Sequence, residues 1–91
     1  MPKFNVSVTV MFRPNILDPQ GAAVERALKN QAGLASGVSI SNVRVGKVIS
    51  MTVEGSDERG VQERVKAIAD RILANPVMEQ YSVEVLEESA K

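Results

Sequence analysis

The chain has 91 residues, 44% of them hydrophobic, and its 11 basic side chains balance 11 acidic ones. That length fits one domain, residues 1–91, and a net charge of zero without a basic patch argues against nucleic acid or an anionic membrane as a partner. Cysteine and histidine are both absent, which excludes disulfides, thiolate nucleophiles, Cys- or His-based metal centres and every Ser/His/Asp arrangement.

The opening Met-Pro-Lys-Phe-Asn leads directly into an alternating pattern. No apolar run has signal-peptide length or reaches the roughly 20 residues of a membrane span, so a cytoplasmic location is expected. Phe4, Val6, Val8, Val10 and Phe12 alternate with Asn5, Ser7 and Thr9, the period of a strand with one apolar face. Pro14 then ends ladder donation and holds Arg13 extended. Asp18-Pro19 announces the first helix: Asp18 caps free N–H groups, and Pro19 gives up a donor that has no partner at that position. Val24, Ala27, Leu28 and Ala32 follow at helical spacing, and Gly33 is the expected left-handed stop.

Leu34 to Ser41 is small and polar and contains Gly37, which predicts a surface loop. An extended run of about 12 residues follows, long for a strand in a small domain, with Val43, Val45, Ile49, Met51 and Val53 at odd positions. Lys47 interrupts its apolar face. A bulge at Gly46 would turn Lys47 away from the core, whereas Gly46-Lys47 is a poor two-residue hairpin turn.

Ser56 or Asp57 caps the second helix, whose stripe is Val61, Val65, Ile68 and Ile72, with Ala69 and Leu73 alongside. Leu73-Ala74-Asn75-Pro76 closes it, Asn75 being able to adopt the left-handed conformation and Pro76 preventing continuation. Tyr81, Val83 and Val85 form the last strand, ahead of a polar tail from Glu87. The fold class is therefore α+β: a two-layer sandwich in the order β-α-β-α-β, with two helices on one face of a three-stranded sheet. The second strand is longer than the first, and its unmatched end is expected to pair with another chain, so that oligomerisation extends the sheet. A domain this small buries only about 60–65% of its unfolded surface, so support from a partner is expected.

Few residues are candidates for chemistry. Gly46-Lys47 lacks the first glycine of a phosphate loop, Ser41 standing in its place, and Val48 follows where Ser or Thr is needed. The stretch from Gly33 to Gly37 neither follows a strand nor opens a helix, so it fails the dinucleotide context. Asp57-Glu58 suits a helix N-terminus, and Glu87-Glu88 lies in the expected tail. Arg44 and Lys47, beside Gly46, read either as an inter-subunit contact or as a solvated strand face.

Three motifs carry a resemblance that spans nearly the whole chain. Asp18-Pro19-Gln20-Gly21 opens the first helix, Val43-Arg44-Val45-Gly46-Lys47 opens the long run, and Leu73-Ala74-Asn75-Pro76 with Glu79 follows the second helix. In this order and spacing the chain resembles the PurS family, the small subunit of phosphoribosylformylglycinamidine synthase. The resemblance implies a non-catalytic scaffold in de novo purine biosynthesis, one subunit of a glutamine-dependent, ATP-consuming C–N ligase. The implied partners are the PurL synthetase subunit, the PurQ glutaminase subunit and further copies of the chain, as a homodimer or homotetramer. ATP with Mg is expected in the synthetase. No catalytic, cofactor-binding or metal-binding residue is expected on this chain. The residues it nominates for subunit contact are Asp18, Pro19, Gln20, Gly21, Arg44, Gly46, Lys47, Asn75, Pro76 and Glu79. Asn15, where the family commonly has glycine, and a longer loop at Leu34–Ser41 depart from the pattern.

Two other classes fit parts of the sequence. A small-molecule-binding regulatory module of ACT-like or ferredoxin-like shape would need a pocket at a dimer seam. A free-standing enzyme would have to use Lys47 or Arg44 with a carboxylate.

Overall fold

The computed structural model describes residues 1–31, 33 and 37–88. The elements are β1 (Lys3–Phe12), α1 (Pro19–Lys29), β2 (Lys47–Glu54), α2 (Glu58–Ile68), a π-helical turn (Ala69–Leu73) and β3 (Glu79–Glu88). The order β-α-β-α-β and the three-stranded sheet match the expected architecture.

The strand order is β2-β1-β3, and β1 is antiparallel to both neighbours. β1 therefore uses both of its edges, and its β-branched even positions lie at the centre of the molecule. Val6, Val8 and Val10 are fully buried there, with Phe4 close behind. Pairing with β2 runs from Lys3 opposite Glu54 to Val10 opposite Lys47. Pairing with β3 runs from Phe4 opposite Glu88 to Phe12 opposite Glu79, with a register irregularity between Asn5 and Val6.

α2 closes the core. The Asp57 carboxylate accepts the Gly60 amide at 2.7 Å, so Asp57, and not Ser56, supplies the cap. The buried line on this helix is Val61, Val65 and then Ala69, at strict four-residue spacing. Ile68 and Ile72 were expected in the stripe, but Ile68 lies at its rim and Ile72 faces outward, 76% exposed. The π turn explains the change at Ile72: the Ala74 amide bonds the carbonyl five residues back, that of Ala69, at 2.9 Å, and the wider turn carries Ala74 into the core. The Tyr81 hydroxyl donates to the Lys66 carbonyl at 3.2 Å and ties α2 to β3.

α1 behaves differently. Gly21 is its one buried residue, and Val24 and Leu28 stay 41% and 38% exposed. α1 ends at Lys29, with Asn30 as its C-cap and the Asn30 and Gln31 amides bonding back to the carbonyls of Arg26 and Leu28. Gly33 is therefore not the stop. Among the described residues the left-handed ones are Gly37 (φ 85) and Asn42 (φ 55), and not Asn75. Ala32 and 34–36 lie outside the described residues, while Gly37 to Ser41 forms neither helix nor strand, as expected of a loop. The longest dimension is 52 Å, and the radius of gyration of 17.2 Å exceeds the roughly 12 Å of a compact domain this size.

The long second strand is not observed. β2 has eight residues, each paired with β1, so it has no unmatched end. Val43 to Gly46 stays out of the ladder because the carboxylates of Glu25 in α1 and of Asp18 at its N-cap take the Val43 and Val45 amides. Lys47 is exposed at the first position of β2 without a bulge on that strand. β3 extends to Glu88, so Glu87 and Glu88 belong to a strand and not to a tail.

Candidate functional site

The nominated residues gather at one end of the sheet, where β1 runs out and three connections meet. Asp18, extended at φ −117 and ψ 91, stands before α1 and is 3% exposed. Its Oδ1 accepts the Gly21 amide at 3.0 Å and its Oδ2 accepts the Val45 amide at 2.8 Å. These bonds, Gly21 first, hold the carboxyl below its ordinary pKa; the Arg44 charge and the Gln20 amide add to them, and burial opposes them. Pro19 takes the first helical position, and Gly21 has no room for a side chain. A Cβ there would run into the Val43 carbonyl and lie 2.6 Å from Asp18 Oδ2.

Arg44 is half-buried, and its Nη2 donates to the carbonyls of Arg13 at 3.0 Å and Ile16 at 2.8 Å. Arg13 continues the linkage. Its amide donates to the Met78 carbonyl at 2.9 Å, and its guanidinium donates to the Pro76 carbonyl through Nε at 3.2 Å and Nη2 at 2.7 Å. The Asn75-Pro76 turn is held from within: Glu79 Oε1 accepts the Asn75 amide at 2.7 Å, and Asn75 Oδ1 accepts the Val77 amide at 3.0 Å. Asn75 therefore shapes the turn through its side chain, without a left-handed backbone.

Asp18, Gly21, Arg44, Asn75, Pro76 and Glu79 thus belong to one hydrogen-bonded junction. Gln20, Gly46, Lys47 and Glu79 share a shallow recess of about 150 Å³ beside it, with Val10, Phe12 and Val45. Gly46 sits tightly over β1, where a Cβ would collide with Met11 Sδ and approach the Val10 carbonyl to 2.6 Å.

Two members of the junction were not expected. Arg13 bridges its two halves, and Glu25 holds the Val43 amide at 3.1 Å while pairing with Lys29 at 2.9 Å. The Val43 amide, then Lys29, keep the Glu25 carboxyl below its ordinary pKa. The spacing of four between Glu25 and Lys29 was the one local signal for this pair; nothing near Arg13 indicates Pro76. Asp18, Glu79, Arg13 and Arg44 all bind backbone groups, so the junction organises chain crossings. No buried polar side-chain atom among the described residues lacks a partner. Among the same residues, no group of three acidic side chains could hold a metal ion and no helix is long and apolar enough to cross a membrane.

Residues 5–87 match the PurS family model, described as phosphoribosylformylglycinamidine (FGAM) synthase. The PurS subunit of that synthase from Thermotoga maritima is 36% identical over 86 residues, covering 94% of this chain and all of the relative. The Bacillus subtilis subunit is 38% identical over 84 residues, covering 92% and 94%. Among solved structures, a chain of PurLQS from Thermotoga maritima superimposes with a TM-score of 0.82 at 35% identity, covering 94% of this chain and all of that one. Bacillus subtilis PurS gives 0.74 at 37% identity, covering 92% and 99%. With a family match across nearly its full length and relatives that align end to end in sequence and fold, the chain belongs to the PurS family, a subunit of FGAM synthase in purine biosynthesis.

Proposed function

We propose that this chain is the scaffold of its synthase: it bridges the ATP-dependent PurL synthetase and the PurQ glutaminase, so that ammonia released from glutamine reaches formylglycinamide ribonucleotide. One observation carries this reading. The charged side chains at the junction bind backbone, while α1 keeps an apolar stripe uncovered and β2 and β3 each present an outer edge. Such a molecule offers surfaces in place of reacting groups. The PurLQS assembly of the Thermotoga maritima relative supports the same partners here.

The physical benefit of a bridge is containment. Ammonia released into neutral water is protonated and loses its nucleophilicity, whereas two sites held in fixed relation deliver it directly. ATP with Mg belongs to the synthetase, and this chain contributes no catalytic, cofactor or metal ligand. The complex works in the cytoplasm. Copies of the chain associate as a homodimer or homotetramer, now on the grounds of free strand edges and the uncovered α1 stripe.

Gel filtration of the chain mixed with the synthetase and glutaminase, glutamine and ADP tests the bridge. One ternary peak that disappears when this chain is omitted is the expected outcome; equal association and ammonia transfer without it would refute the proposal. Sedimentation of the chain alone should show a dimer or larger species.

A further inference from the structure

We infer that Arg44 is a positioning residue: its guanidinium fixes the direction in which α1 leaves the sheet. Among the described residues no α1 side chain belongs to the core or packs against it, so the core does not set that direction, and the molecule is drawn out to 52 Å. The polar contacts that do link α1 to the sheet fall into two groups.

The first group makes α1 and residues 43–45 one body, the arm. Asp18 joins the start of α1 to Val45, and Glu25, two turns along the helix, holds Val43, so that residues 43–45 lie against α1. The second group joins that body to the sheet. Arg44, carried by the returning segment, binds the carbonyls of Arg13 and Ile16 in the outgoing connector. Arg13 is itself fastened to Met78 and Pro76 beside β3. The two chain passages between sheet and arm are thus locked to each other at Arg44. A single Nη2 with two planar hydrogens sets both carbonyls at a fixed mutual angle, which a lysine ammonium on a flexible stem does not reproduce. None of these contacts involves Val6, Val8, Val10, Val61 or Val65, so the arm angle and the core are separable.

The test measures the angle directly. The chain has no cysteine, so Ala23→Cys on α1 and Ala67→Cys on α2, both exposed, accept a spin-label pair, and labelled chain is diluted into unlabelled chain. With Arg44 intact, one narrow distance distribution is expected. Arg44→Met should broaden and shift it, and Arg44→Lys, which keeps the charge and loses the fork, should broaden it too. Hydrogen exchange gives the second readout: the Arg13 and Ile16 amides, which bond within and beside the connector that Arg44 holds, should exchange about 10- to 100-fold faster in Arg44→Met while those of Val6 and Val8 stay protected. An unchanged distribution in either variant would overturn the inference. So would equal acceleration of the core amides, which would make Arg44 a stabiliser of the fold as a whole.

Discussion

Replacing Gly21 by alanine sets two effects of opposite sign against each other. In an ordinary helix the change stabilises by about 0.5–1 kcal/mol, because glycine loses more backbone freedom on folding. Here the new Cβ would occupy the space of the Val43 carbonyl and stand 2.6 Å from Asp18 Oδ2. Both neighbours are held in place, the carbonyl by the backbone and the carboxylate by two amides, so overpacking of about 1–3 kcal/mol is expected. If Asp18 yields, the charge-assisted bond to Val45 adds about 1.5–3 kcal/mol. The net loss is about 2–4 kcal/mol, and it falls on the junction more than on the core. Amide exchange at Val43 and Val45 should accelerate by about 30-fold or more, at 1.4 kcal/mol per tenfold. Gly33→Ala is the control, since nothing lies within 4 Å of a Cβ there, and it should leave these amides unchanged. If Gly21→Ala retained wild-type protection or raised the melting midpoint, the close contact of α1 with residues 43–45 would be wrong.

Three further outcomes follow from the same contacts. Val8→Ala removes volume from a site with no exposure; a loss of about 2–3 kcal/mol should lower the calorimetric midpoint by about 10–15 °C. Asp57→Ala removes the bond to the Gly60 amide and should cost about 1 kcal/mol in a denaturant titration, whereas Asp57→Asn should stay close to wild type. The third concerns pH. Asp18 and Glu25 both have carboxyl pKa values below their ordinary ones, owing first to the Gly21 and Val43 amides respectively. A depressed folded-state pKa stabilises fully above the unfolded value and loses that contribution as pH falls through the folded one. Exchange protection at Val43 and Val45, corrected for intrinsic rates, should therefore hold from pH 7 to pH 5 and decline below about pH 4. Loss of protection already between pH 7 and pH 5 would contradict the assignment.

Local chemistry was legible wherever the controlling partner lies within a few residues. The alternation from Phe4 to Val10, the caps at Asp18 and Asp57 and the pair Val61 and Val65 all took the positions their spacing implies. What failed depended on distant partners. Val43 to Gly46 has the period of a strand, yet a ladder needs a neighbour, and Asp18 and Glu25 take the amides it would have used. Ile72 fits a stripe drawn for an α-helix, but the π turn after Ile68 rotates it outward, while Ile68 lies at the rim of the line that Val61, Val65 and Ala69 bury. Arg13 attracted notice only as the residue before a proline, because its bond to Pro76 crosses most of the chain. The family motifs pointed to the right region, since six of the ten nominated residues share one junction, but not to the two side chains that complete it.

The place of β1 between β2 and β3 bears on how the molecule is made. β1 comes early in synthesis, but its partners in β3, from Glu79 to Glu88, come near the end of the sequence. A growing chain can pair β1 with β2 and no more; one side of the most apolar strand then stays open until β3 is released. Such non-local pairing slows folding and leaves a bare strand edge in the interval. That interval is when the nascent subunit would be most prone to aggregation and most dependent on a chaperone.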